Sequence, residues 1–236
     1  MACFVLGMVK RVSSGVPFLD GLLEGGFEVD SITTLFGPAG VGKTNLALLS
    51  AVEVARSGKK VVFVDTEGGF SISRLKQVLP DYKKVIDRII FFNPLSFEEQ
   101  CKTIEFLKTL VNNKIGLIVV DTITMLYRLQ RSFKEDDTHN HDLSLQMLAL
   151  NEITRKHNIP ILLTSQVYSS FDNGRVKIVG GDILLYTSKC LLELESYNGK
   201  RRIILRKHRS IGGDKSVLFE IVESGVQEVK IEEDRR

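Results

Sequence analysis

The chain has 236 residues, a formal net charge of +3, 43% hydrophobic and 26% charged residues. That is enough for one large α/β domain with a full core, and the composition is globular, neither fibrous nor disordered. No apolar run reaches membrane-spanning length, the first residues do not read as a secretion signal, and Cys3, Cys101 and Cys190 make neither a disulfide framework nor a zinc cluster, so a reducing, cytoplasmic setting is expected.

In chain order, Ser31-Ile32-Thr33-Thr34-Leu35-Phe36 is β-branched and apolar and predicts a buried strand. It runs into Gly37-Pro38-Ala39-Gly40-Val41-Gly42-Lys43-Thr44, which fits G-x-x-x-x-G-K-[ST], the phosphate-binding loop. Glycines let the backbone curl into a nest of inward N–H groups. Lys43 would reach the β- and γ-phosphates, and the Thr44 hydroxyl would serve Mg²⁺. A helix predicted over 45–56 would set its positive end beneath the phosphates, with Asn45 in its first turn. Strand, glycine loop and helix together separate this from an ordinary glycine turn. ATP and Mg²⁺ are the implied cofactors.

Further strands are predicted over 60–65, 88–93, 117–121 and 159–164, and helices over 73–79, 97–113 and 143–157. Ser96-Phe97-Glu98-Glu99 is a capping box for the second of these helices. Polar stretches 128–142 and 167–181 read as loops. In the last third, 190–195 and 201–205 flank Asn198-Gly199 as a hairpin, and 217–222 and 226–231 read as further strands. The βα alternation implies a mostly parallel sheet covered on both faces, extended at its C-terminal side by antiparallel strands, all in a single domain.

Asp121 ends an apolar strand behind a phosphate loop, where a carboxylate holds Mg²⁺ through water. Glu67 follows the 60–65 strand, at the carboxyl end of a parallel sheet. Its residues alone leave two readings open: activation of a water for hydrolysis, or a helix-capping acid. Gln166 follows the fifth strand, where an amide would sense the γ-phosphate. The two loops carry Arg128, Arg131 and Lys134, and Arg175 and Lys177. Arg206-Lys207-His208-Arg209, with Arg201, Arg202 and Lys215, is the densest basic region. It reads equally as a solvated hairpin end or as a contact for phosphates of a nucleotide or of DNA. His139-Asn140-His141 meets no zinc-ligand spacing and reads as a polar lead-in to a helix, with a cap among Asp137, Thr138 and Asn140.

Taken together, Ser14-Gly15, Leu19-Asp20, Leu22-Leu23, Gly25-Gly26, the phosphate loop, Asp65-Thr66-Glu67-Gly68, Val120-Asp121 and Thr164-Ser165-Gln166-Val167 resemble the RecA/RadA recombinase ATPases over essentially the whole chain. The compact core, without a helix-hairpin-helix domain before it, is similar to that of an archaeal RadA paralogue. The resemblance implies that Glu67 is the hydrolytic glutamate, Lys43 its partner at the phosphates, Asp121 and Thr44 the Mg²⁺ residues, and Gln166 the γ-phosphate switch. It implies that 128–142 and 167–181 face DNA, single strands favoured, and that the strand before Gln166 lies between the phosphate-loop strand and the Asp121 strand. RadA subunits polymerise through Phe-x-x-Ala; here Phe4-Val5-Leu6-Gly7 stands nearest, which implies a monomer, dimer or short oligomer instead of a long filament. The implied role is an accessory of homologous recombination and DNA repair that assists RadA, with feeble ATPase activity. Rival readings are an active strand-exchange recombinase, a KaiC-like signalling ATPase and a small-molecule kinase with the same loop.

Overall fold

The computed structural model describes residues 9–133, 138–169 and 176–230. At the start, β1 (Arg11–Val12), α1 (Pro17–Leu22) and β2 (Phe27–Glu28) make a small clasp in which the two strands pair antiparallel. Asp20 ties it: its carboxylate accepts from the Ser14 N–H and hydroxyl at 2.7 and 2.6 Å and from the Ser13 hydroxyl at 2.7 Å. Then come β3 (Ile32–Phe36), α2 (Lys43–Arg56), β4 (Lys60–Asp65), α3 (Ile72–Val78), α4 (Lys83–Ile86) and β5 (Ile89–Phe92). They are followed by α5 (Phe97–Leu110), β6 (Ile115–Asp121), α6 (Met125–Phe133), α7 (Thr138–His157) and β7 (Ile161–Ser165). A short antiparallel pair, β8 (Val167–Ser169) and β9 (Val176–Ile178), precedes α8 (Gly181–Thr187). The chain then lays down β10 (Cys190–Tyr197), β11 (Lys200–His208), β12 (Ser216–Val222) and β13 (Gly225–Glu228).

One nine-stranded sheet runs β13-β12-β11-β10-β3-β7-β6-β4-β5. The pairings from β10 to β5 are parallel, and those from β10 to β13 are antiparallel. The expected parallel sheet with an antiparallel extension is therefore present, and β7 lies between β3 and β6, as the resemblance implied.

Strand periodicity divides the core. Val61, Phe63, Leu117, Val119 and Leu162 point to one face and pack with Leu46, Ala47 and Ala51 of α2. Their neighbours Val62, Val64, Ile118, Val120, Ile161 and Leu163 point to the other and pack with Ile104 of α5 and Met147 and Leu150 of α7. Residues i and i+1 of a strand face opposite ways, so strands buried on both faces read as unbroken apolar runs.

Several boundaries differ from the sequence expectations. Helix α5 stops at Leu110, short of 113, because Asn112 turns the chain: its Nδ2 donates to the Leu110 carbonyl and its Oδ1 accepts from the Lys114 N–H. The capping box forms with a shift: the Glu99 N–H donates to Ser96 Oγ at 3.1 Å, while the Glu99 carboxylate accepts from the Leu95 N–H. The segment 128–142 is not a loop where it is described. Helix α6 runs through Phe133 and α7 begins at Thr138, so Asn140 and His141 sit inside a helix. Buried Leu126 and Tyr127 anchor α6, and the Tyr127 hydroxyl donates to Asn140 Oδ1 across the two helices. The segment 167–181 contains the β8–β9 pair, so it too is partly ordered into strands.

Candidate nucleotide-binding site

The site is built at the carboxyl ends of the parallel strands, where α/β sheets place ligands. Strand β3 delivers the chain into the glycine loop. At Gly37 (φ +154°) a Cβ would lie 2.1 Å from the Leu194 carbonyl oxygen, so only glycine lets the loop pass this close to β10. Gly42 is left-handed (φ +104°) and opens α2 without any side-chain cap. The first-turn N–H groups of α2 are thus left for an anion.

Lys43 is buried, and its ammonium donates to the carbonyls of Gly37 and Pro38 at 2.8 and 2.7 Å. Burial pushes its pKa below the ordinary lysine value, while the carboxylates of Glu67 and Asp121 pull it back up. Its ammonium is thus held against loop carbonyls, inside the curve of the glycine loop.

Asp121 is 1% exposed. Its Oδ1 accepts from the Thr164 hydroxyl, and its Oδ2 is buried with no hydrogen-bond partner among the described residues. Burial raises the Asp121 pKa against the lowering effect of the Thr164 and Thr44 hydroxyls, and Glu67 and Asp65 raise it further. A buried, unpaired carboxylate oxygen is costly unless a cation answers it. A Cβ on Gly69 would lie 3.7 Å from Thr44 Oγ1 and 3.9 Å from Asp121 Oδ2, so the two oxygens border one gap. This pair of hard oxygen donors fits Mg²⁺, which binds through few protein ligands plus phosphates and water.

Glu67 is exposed at the mouth of the site. Its Oε1 accepts from Gln166 Nε2 at 2.6 Å and from the Thr122 hydroxyl at 3.1 Å. Gln166 Oε1 in turn accepts from the Arg128 guanidinium at 3.1 Å. A cavity of about 190 Å³ brings Gly40, Lys43, Thr44, Glu67, Thr122 and Gln166 together. A second, of about 460 Å³, shares Thr44 and Asn45 with it and is walled by Phe70, Arg74 and Ile221. The first has donors for phosphates; the second has the mixed apolar and cationic lining that suits a base and sugar.

Sequence reasoning missed three residues here. Asp65 is buried and accepts from the N–H groups of Glu67, Gly69 and Phe70, so it folds the turn that presents Glu67. Its signal was available, because Asp65 ends β4 as Asp121 ends β6. Thr122 steadies Glu67 and follows Asp121 directly. Arg74 donates to Asn45 Oδ1 and to the carbonyls of Val222, Glu223 and Gly225. No local pattern marks partners so distant in sequence.

Of the candidate DNA residues, Arg128 lines a cavity of about 760 Å³ with Tyr127, His141, Tyr168 and Gly180. Lys177 is exposed on β9. The Arg131 side chain, Lys134, Arg175 and Phe4 to Gly7 lie outside the described residues. Arg206 pairs with Glu193 and Asp214 at 2.6 and 3.3 Å, and Lys207 donates to the Leu185 carbonyl at 2.6 Å. Lys207 stands opposite Leu191 and His208 opposite Cys190, at the start of β10. That end of β10 pairs with the start of β3, the end away from the phosphate loop. His139 is buried within α7, its ring edge-on to Phe97 at 6.2 Å.

A parallel sheet with a phosphate nest after one strand, a carboxylate at the end of another and a glutamine after the strand between them defines a RecA-type nucleotide-binding core. The Rad51 family model matches residues 7–229. The chain is 44% identical over 217 residues to the DNA repair and recombination protein RadB of Methanobrevibacter smithii, covering 88% of this chain and 92% of that one. It is 39% identical over 212 residues to the RadB of Methanocaldococcus jannaschii, covering 89% and 98%. A solved structure described as the RadB recombinase superposes with a TM-score of 0.81 at 37% identity, covering 93% of this chain and all of that one. The chain belongs to the Rad51 family, in its RadB branch.

Proposed function

We propose that this chain is an ATP-switched DNA-binding protein of homologous recombination and DNA repair, an accessory that acts with the RadA recombinase. ATP binds with its phosphates on the nest of residues 37–44 and with its base toward the cavity beside Arg74. Lys43 neutralises the β- and γ-phosphates, and Thr44 and Asp121 hold Mg²⁺, which offsets charge on the phosphates. DNA lies against α6, α7 and the β8–β9 pair, with Arg128 and Lys177 as phosphate contacts.

The observation that carries this reading is the hydrogen-bonded chain Glu67–Gln166–Arg128, which joins the phosphate pocket to the 760 Å³ cavity. A γ-phosphate competes for the Gln166 amide, and a change at Gln166 is felt by Arg128. The same bonds support slow hydrolysis, because two donors to Oε1 lower the basicity of the Glu67 carboxylate as a whole.

The test is single-stranded DNA binding by fluorescence anisotropy without nucleotide, with ADP, and with ATP and Mg²⁺, across a salt series. A salt-sensitive affinity that shifts with ATP, and loses the shift in Lys43→Ala, is expected. DNA binding in no state would remove direct DNA contact, and robust strand exchange by this chain alone would replace the accessory role with that of a recombinase.

A further inference from the structure

The basic region of 201–215 looks uniform in sequence, but the structure divides it by partner. Arg202 pairs with Glu195 and lies over the Tyr197 ring, 4.2 Å from its centroid. Arg206 pairs with Glu193 and Asp214. Arg209 pairs with Glu28 and Asp30, Lys215 with Glu24, and Lys207 donates to the Leu185 carbonyl. Arg201 differs: among the described residues it has no carboxylate partner, and its one bond runs from Nε to the Gly40 carbonyl at a long 3.5 Å.

The strand geometry explains where it points. Alternation on β11 sends Ile203 and Leu205 into the core on the α2 side of the sheet, and Arg201 shares their face. Because β10 runs parallel to β3, the β10–β11 turn overshoots the sheet on the side where β3 enters the phosphate loop. The hairpin and β12 form a wall against that loop. The Leu194 carbonyl meets Gly37, a Cβ on Gly42 would lie 3.2 Å from Ile221 Cδ1, and Arg201 reaches the exposed apex at Gly40.

Charge gives this arginine a task. ATP with Mg²⁺ carries about two net negative charges, and two carboxylates, Glu67 and Asp121, act on the Lys43 ammonium that faces it. Lys43 alone leaves the loaded site strongly negative. We propose that Arg201 is a second cation of this nucleotide site, supplied by the same chain, which leaves the Gly40 carbonyl to bind the terminal phosphate. Arginine suits the task, since its planar fork takes two phosphate oxygens at once. The inference rests on nucleotide binding at residues 37–44, proposed above.

The experiment compares wild type, Arg201→Ala, Arg201→Lys and Lys43→Ala by calorimetric titration with ATP and ADP in Mg²⁺, with thermal melting of the nucleotide-free proteins. Arg201→Ala is expected to melt as wild type does, to lose about tenfold or more in ATP affinity and clearly less for ADP, with Arg201→Lys in between. Equal losses for ATP and ADP, or unchanged ATP affinity in Arg201→Ala, would overturn the assignment. Failure of the underlying site is separately visible: wild type would bind no nucleotide, or Lys43→Ala would bind it unchanged.

Discussion

At the scale of single residues, two buried polar side chains explain more than their neighbours in sequence announce. Asp65 gathers three N–H groups and so sets the direction of Glu67; the catalytic candidate is aimed by a buried neighbour. His208 does comparable work at the other end of the sheet. Its Nδ1 accepts from the N–H groups of Ser210 and Ile211 at 3.2 Å each, which requires that nitrogen to be unprotonated. Burial pushes the His208 pKa below the ordinary 6.5, with Arg11 and Arg209 pushing the same way and Glu28 and Glu24 opposing them. Folding therefore favours the neutral ring. Its contribution is complete above about pH 6.5 and is lost as pH falls below it, because the unfolded chain then binds the proton more readily than the folded one. Glu28 follows at lower pH: the Ser210 and Arg209 bonds hold its carboxyl below the ordinary 4.5 despite burial, and its contribution is lost as pH falls from there. Melting temperature is expected to decline between pH 6.5 and 5 in wild type, and less steeply in His208→Asn, whose amide oxygen can accept the same N–H groups without titrating. Parallel declines for the two proteins would remove His208 from the explanation.

Between elements, the decisive contact is the one that fastens the C-terminal strands to the phosphate-loop helix. Arg74 on α3 bonds Asn45 on α2 and three carbonyls of the β12–β13 turn. Val222 and Gly225 are also the closing pair of that hairpin, and hydrogen bonds to charged groups contribute about 1.5–3 kcal/mol each before non-additivity. Arg74→Ala is expected to cost about 2 kcal/mol, a drop of roughly 4–8 °C in melting temperature for a chain of this size. An unchanged melting temperature would mean that the turn is held by packing alone. This contact also marks the limit of what sequence discloses. The strand-loop-helix from Ile32 to Arg56 was legible because strand, glycine nest and helix each carry a local signal. The hairpin of β10 and β11 was legible through Asn198-Gly199. The pairing of β10 beside β3, and the reach of Arg74 to Val222, depend on groups some 150 residues apart, which no local period encodes. The segment 128–142 misled for a different reason. Its charged and polar residues look like loop composition, while the residues that make α6 a helix, Leu126 and Tyr127, lie before the polar run and are buried against other elements. Tertiary burial overrode composition there.

Over the whole molecule, one sheet carries two cavities, and a short polar chain connects them. The phosphate pocket opens at the ends of β3, β4 and β6; the 760 Å³ cavity opens beyond β7, between α6, α7 and α8. Gln166, just after β7, is the one residue among those described that bonds both Glu67 and Arg128. Coupling between sites is a free energy, of order 1–3 kcal/mol in ordinary allosteric proteins, and it is reciprocal. If ATP tightens DNA binding through this chain, DNA must tighten ATP binding by the same factor. Arg128→Ala separates coupling from mere contact. As a link, Arg128 is expected to leave ATP affinity in the absence of DNA within about twofold of wild type while the ATP-induced change in DNA affinity shrinks toward one. As a phosphate contact only, its loss would weaken DNA binding equally with and without ATP, lower the salt dependence by about one ion, and leave the ATP-induced ratio intact. Anisotropy titrations of wild type and Arg128→Ala, each with and without ATP and at several salt concentrations, resolve the two. A preserved ratio would break the proposed route through Gln166, since no other hydrogen bond among the described residues joins that amide to α6 through a charged group.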